Sequence, residues 1–174
     1  MELQQATLTD YQALLTFYDD VIERTPGIER YAQWRKGIHP TAEDILAPIR
    51  EGIMYLHREQ DSIAGAVVVT LNQGKDYHAI DWQQKVADDE VAVIHLVAVS
   101  PDKQGAGLGA QMVRSAIELA RAKGMKAIRL ETTASNTPAH RFYERLGFRY
   151  RGQQLINTGN NGWLDFFYFE YQEA

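Results

Sequence analysis

Cysteine is absent from the 174 residues. That excludes disulfides, thiolate metal sites and a cysteine nucleophile, and it suits a reducing cytoplasm, the expected compartment. Positive charge is in the minority: 18 Lys and Arg stand against 23 Asp and Glu, for a net charge of −5. No nucleic-acid partner is expected, because phosphate backbones call for a basic footprint; a local pocket for one phosphorylated cofactor stays open. No apolar stretch approaches the roughly 20 residues that span a bilayer. Met1 to Asp10 also lacks the basic start and apolar run of a signal peptide, so no membrane partner is expected. Repeats, low-complexity tracts and linkers are missing too. What is left, 45% apolar and 24% charged residues, fits a single globular domain over residues 1–174 with a core of its own.

Hydrophobic spacing places the elements. Met1 to Ala6 reads as a short strand, and Thr9-Asp10-Tyr11-Gln12 as a capping box opening a helix with Tyr11, Leu14, Leu15, Tyr18, Val21 and Ile22 on one face. Pro26-Gly27 stops it. Thr41 to Asp44 caps a second, shorter helix with Ile45, Leu46 and Ile49. Gly52 to His57 and Ile63 to Leu71 form a predicted hairpin. Residues 72–89 are polar, with Tyr77, His78, Ile80 and Trp82 as islands, and read as an excursion near the substrate side. Val91 to Val99 is a β-branched apolar run, hence a strand buried on both faces. Then follow a helix from Gly107 to Lys123 closed by Gly124, a strand from Ala127 to Glu131, a helix from Pro138 to Leu146, and strands at Phe148 to Arg151 and Leu164 to Tyr171. The class is α/β.

The chemistry starts after Val99. Gln104-Gly105-Ala106-Gly107-Leu108-Gly109 leads straight into a helix. Glycines let backbone N–H groups approach an oxyanion closely, and the helix start adds free donors and a positive dipole end. The loop suits a diphosphate, with Lys103 as a further point charge; the plainer reading is a flexible turn. Gly105, Gly107 and Ala110 also fit the dinucleotide pattern G-x-G-x-x-G/A, with Glu131 as the ribose-binding acid at the end of the next strand. Against this, Ser100 to Gln104 separate the strand from the glycines. The unit also arrives late, with too little chain left for a second half.

Asn136 and Tyr143 are seven residues apart, almost two helical turns, so both look to nearly the same side. Asn136 sits where Asx residues cap a helix, and Pro138 falls in the first turn, where its missing N–H costs nothing. By spacing alone, Tyr143 equally joins Ala139, Phe142 and Leu146 in a core stripe. Taken together, residues 91–148 resemble the GNAT N-acetyltransferase superfamily. Gln104-x-x-Gly107-x-Gly109 matches its Q/R-x-x-G-x-G/A cofactor motif. Leu130-Glu131, Asn136-Thr137-Pro138-Ala139, Phe142-Tyr143-Glu144 and Leu146-Gly147-Phe148 match its next block.

That resemblance implies a mixed central sheet with splayed parallel strands flanked by helices. It implies acetyl-CoA as co-substrate without a metal, and an amine of a small molecule or peptide as acceptor for a monomer or homodimer. In such enzymes the pantetheine arm pairs with strand backbone, here Val97, Ala98 and Val99. The loop, here Gln104, Gly105, Ala106, Gly107, Leu108, Gly109 and Ala110, wraps the diphosphate; Asn136 holds the arm; Tyr143 protonates or steadies the leaving thiolate. A phenol with a pKa of about 10 can do this for a thiol titrating near 8.5 only when held in place. For the general base, two residues compete with water. His95 is the lone ionisable side chain in its strand run, where the family often carries a carboxylate. Strand parity puts it on the face of Val93 and Val97, opposite Ile94 and Leu96. Glu131 matches the proton-accepting Glu of some members, including a ribosomal-protein N-terminal acetyltransferase. Each equally reads as a buried polar group satisfied by its surroundings. Tyr18, Arg30, Tyr31, Trp34, Trp82 and Asp165 are pocket candidates from the segments that roof such sites. A nicotinamide oxidoreductase and a non-catalytic acyl-CoA-binding module are the alternatives.

Overall fold

A computed structural model describes residues 1–172. A seven-stranded mixed sheet runs through it in the order β1-β2-β3-β4-β5-β7-β6. The strands are β1 (Gln4–Gln5), β2 (Met54–Glu59), β3 (Ser62–Thr70), β4 (Val91–Val99), β5 (Ala127–Thr133), β6 (Phe148–Asn157) and β7 (Trp163–Tyr171). All neighbours are antiparallel except β4 and β5. Helices α1 (Tyr11–Arg24), α2 (Ile28–Ala32), α3 (Ala42–Arg50), α4 (Leu108–Ala122) and α5 (Thr137–Arg145) complete the fold.

Helical spacing decides which faces meet. On α4, Met112, Ala116 and Ala120 are fully buried against Val67, Ala92, Ile94 and Leu130 of the sheet. On α1 and α3, Leu14, Val21, Ile45 and Ile49 are buried with Leu56, Ala66 and Val68 of the other face. Each fully buried large aliphatic chain contributes about 1.5–3 kcal/mol. Thr41 and Asp44 form the expected reciprocal cap of α3, at 3.1 and 2.8 Å.

Several expectations are corrected. The capping box before α1 is Thr7–Asp10, not Thr9–Gln12: the Asp10 carboxylate accepts from Thr7 N at 2.8 Å, and a turn at Leu8–Asp10 precedes the helix. Helix α2 was not anticipated, because five residues are too few for a periodic stripe. β6 runs on to Asn157, since it pairs with β7 along its whole length; its polar half reads as loop in isolation.

The correction that matters most is in β4. Its partners on β3 run Val68↔His95 and then Ala66↔Ala98, so Leu96 and Val97 together face the single residue Val67. This is a β-bulge, with Leu96 at φ 49. The Leu96 carbonyl accepts from Tyr18 Oη at 2.7 Å. Alternation breaks there: Val97 packs with the α4 core alongside Ile94, while Leu96 and Ala98 pack with the α1 core. His95 and Val97 therefore do not share a face. β4 meets β5 only at Val91, Ala92 and Val93, opposite Ala127, Ile128 and Arg129. Beyond that the parallel strands splay, as expected.

Candidate active site

The splay opens a cleft of about 1000 Å³. Its walls bring together most of the residues singled out by sequence: His95, Val97, Ala98 and Val99 from β4, Glu131 from β5, Asn136 and Tyr143 from α5, and Gln104 and Gly109 from the loop. Tyr31 and Trp34 line it as well. Tyr18, Arg30, Trp82 and Asp165 do not; Tyr18 instead serves the bulge, and Trp82 is core.

The loop after β4 ends on Gly107, which caps α4 at φ 83. Gly105 is also left-handed, at φ 80, and a Cβ on either residue would meet nothing within 4 Å. Both glycines thus serve backbone shape and an open outer surface, as a cradle for an external anion requires. Gly105, Ala106 and Gly107 are exposed, Leu108 is buried, and Ala110 lies in the first turn of α4. The Gln104 side chain turns inward, donating to Thr25 Oγ1 at 2.8 Å and to Val99 O at 3.3 Å. Lys103 pairs with Glu59 at 2.5 Å, so its charge is already engaged. Glycine loop, helix start and strand gap together fit a diphosphate with an extended arm.

Asn136 caps α5: its Oδ1 accepts from Ala139 N at 3.3 Å, and its Nδ2 donates to Thr132 Oγ1 at 3.2 Å. One helix thus begins with its cap on the cleft and presents Tyr143 there two turns later. Tyr143 packs edge-on to Phe142 and Phe148, with centroids 5.1 and 5.7 Å away. The stripe and the site are therefore compatible. Burial, with the charge of Glu131 nearby, pushes its phenol well above its usual pKa.

His95 Nδ1 lies 3.2 Å from Glu131 Oε1. Burial pushes the Glu131 carboxyl up to about 8, helped by the charge of Asp76, and pushes the His95 imidazole down to about 4. Both keep a face on the cleft, 29% and 22% exposed, so water there softens these shifts. Between those limits the pair carries one titrating proton, a property of the two groups together. Sequence reasoning missed a third partner: Tyr77 Oη donates to Glu131 Oε2. The aromatic islands at 72–89 were the only signal for it.

The sequence profile of the Acetyltransferase (GNAT) family matches residues 15–148. The chain belongs to this family. Over 84 residues it is 38% identical to an uncharacterised N-acetyltransferase of Methanocaldococcus jannaschii, a match spanning 48% of this chain and 34% of that one. It is 37% identical over 73 residues to the mycothiol acetyltransferase of an Arthrobacter species, spanning 41% of this chain and 23% of the relative. These matches thus take in about a third or less of either relative. A crystal structure of a GNAT-family acetyltransferase from Streptococcus agalactiae superposes with a TM-score of 0.79 at 18% identity, covering 99% of this chain and 95% of the other. The ribosomal-protein-S18-alanine N-acetyltransferase of Escherichia coli gives 0.68 at 18%, with the same coverage. At such identity these two speak for the fold. Family membership replaces the nicotinamide alternative, and Glu131, which that alternative assigned to a ribose, is engaged by His95 and Tyr77.

Proposed function

We propose that this chain transfers an acetyl group from acetyl-CoA to a primary amine of a small molecule or peptide, by direct attack in a ternary complex. The observation that carries the reading is the convergence of His95, Glu131 and Tyr143 on one cleft beside the parted strands. The backbone of Val97, Ala98 and Val99 would hold the pantetheine arm, and the N–H groups from Gly105 to Ala110 the diphosphate. Bound acetyl-CoA supplies a thioester open to attack by a neutral amine.

The chain's own work is proton handling. As pH rises toward about 8 and Glu131 ionises, it accepts from His95 Nδ1–H. This fixes the tautomer, and Nε2 keeps its lone pair for the amine proton, directly or through one water. The negative carboxylate then steadies the imidazolium that forms. Tyr143 holds its proton on Oη at any working pH, so it acts as a hydrogen-bond donor to the departing sulfur. The acceptor follows from the remaining lining. Glu43, Asp44 and Glu51 border the cleft with Tyr31 and Trp34, and among the described residues no Lys or Arg does. This supports a neutral or cationic acceptor over one with a carboxylate beside its amine.

Ligand-dependent melting tests the first half. Acetyl-CoA at 100-fold over its Kd should add about 2.7 kcal/mol, roughly 5–10 °C for a chain of this size. Stabilisation by NAD and none by acetyl-CoA would overturn the reading. Thiol release over an amine panel tests the second half, with diamines expected to outrun amino acids. Binding without turnover on any amine would leave a non-catalytic acyl-CoA-binding module.

A further inference from the structure

We propose that Tyr77 is a positioning residue for this reaction, holding the Glu131 carboxylate so that its second oxygen meets His95. The inference rests on the acetyltransferase reading and adds to it a segment that lies between two strands of the sheet and outside the cofactor motifs.

Tyr77 sits in a 3₁₀ turn, Lys75–Ala79, and is 3% exposed. Its ring stacks on Trp82 at 5.7 Å and 15°, and meets Tyr168 edge-on at 5.2 Å. Trp82 Nε1 donates to the Tyr77 carbonyl at 2.7 Å. Ring and backbone are both fixed, so the hydroxyl has one destination, Glu131 Oε2. A phenol buried this deeply could have been a phenylalanine at no loss of packing; its hydroxyl is spent on Glu131.

The segment itself is fastened by the strand that carries Glu131. Arg129, two residues earlier on β5, is buried and donates to the Gln73 side chain and to the Gln84 carbonyl. Its guanidinium lies 4.0 Å from the centre of the Trp82 ring. Glu170 of β7 pairs with Arg129 at 3.0 Å and accepts from the backbone N–H groups of Gln83 and Gln84 at 3.1 and 3.2 Å. Glu131, Arg129, the segment and Tyr77 thus form a closed loop of contacts, and the carboxylate cannot turn without breaking one of them.

A donor on a carboxylate favours its ionised form. Tyr77 therefore works against burial and against Asp76, the negative charge on its own turn. The groups facing Glu131 are His95 from β4, Tyr77 and Asp76 from the segment, Tyr168 from β7 and Tyr143 from α5. Of these, Tyr77 donates to Oε2 and His95 Nδ1 is hydrogen-bonded to Oε1.

Tyr77→Phe keeps the stack and removes the donor. The acidic limb of kcat/KM should move up by about one pH unit, lowering the rate about tenfold at pH 7 and restoring it at high pH. Acetyl-CoA affinity should not change. In a Glu131→Gln background the same substitution should do nothing further, the mark of a direct coupling. Carbon-13 titration of the Glu131 carboxyl should show the same upward shift without turnover. An unmoved limb and an unmoved titration, with normal wild-type turnover, would overturn the proposal alone. A wild-type protein that acetylates no amine would overturn the acetyltransferase reading and the proposal with it.

Discussion

Replacing Glu131 with Gln should change how stability depends on pH. In the unfolded chain the carboxyl titrates near 4.5, and in the fold near 8. A folded-state pKa that is raised means the stabilisation is complete below about pH 4.5 and is lost as pH rises through 8. The full shift corresponds to roughly 5 kcal/mol, and the face of Glu131 on cleft water makes about half of that the expected figure. His95 acts in the opposite sense. Its pKa falls from 6.5 to about 4, so its stabilisation is present above 6.5 and lost as pH falls through 4. Wild-type stability should therefore peak near pH 5–6. Gln keeps the shape and cannot ionise. Urea unfolding at pH 5.5 and pH 9 should show the wild type losing about 1.5–2 kcal/mol more than the variant, since part of the loss already lies below pH 5.5 and the other titrating groups largely cancel in the comparison. Parallel losses in the two proteins would mean that Glu131 is ionised throughout, and the single-proton account of the pair would fail.

Tyr143→Phe should lower kcat about 10²-fold with acetyl-CoA affinity nearly unchanged, by steady-state kinetics and calorimetry; unchanged turnover would return Tyr143 to the core stripe. Gly107→Val forces a branched residue into a left-handed position at the cradle, so CoA binding should weaken while free pantetheine is little affected; equal losses would refute the diphosphate role. Arg129→Met removes the buried cation beside Glu170 and leaves it only the Gln83 and Gln84 N–H groups, which should cost about 3–5 kcal/mol and lower Tm by roughly 10 °C in a thermal scan.

The cofactor side of the cleft was readable because its signals are local. A glycine loop running into a helix, an Asn that caps, and a Tyr two turns on each depend on neighbours a few positions away. Thr41 and Asp44 were legible for the same reason. The base side was not, because its parts meet over distance: Tyr77 and Glu131 are 54 residues apart, His95 and Glu131 36. The spacing of polar islands between strands says that a segment returns to the sheet, not which carboxylate it meets. The left-handed Leu96 leaves no trace either. Leucine is an ordinary strand residue, and the bulge is set by how β3 and Tyr18 receive it. Parity counted across it gave His95 the wrong facemate.

That one surplus residue in β4 has a counting consequence. The ladder with β3 is regular on both sides of it, so the strand carries one residue more than its partner needs. Excising Leu96 would bring the two back into step and let β4 run straight along β5, sealing the gap with ordinary sheet. Val97 to Val99 would keep their faces and their β3 partners, Val97 following Ile94 and Ala98 following His95 in unbroken alternation. A shorter chain would make a more regular sheet with no slot in it. Here the opening is a matter of arithmetic between two strands, and a gain in regularity would erase it.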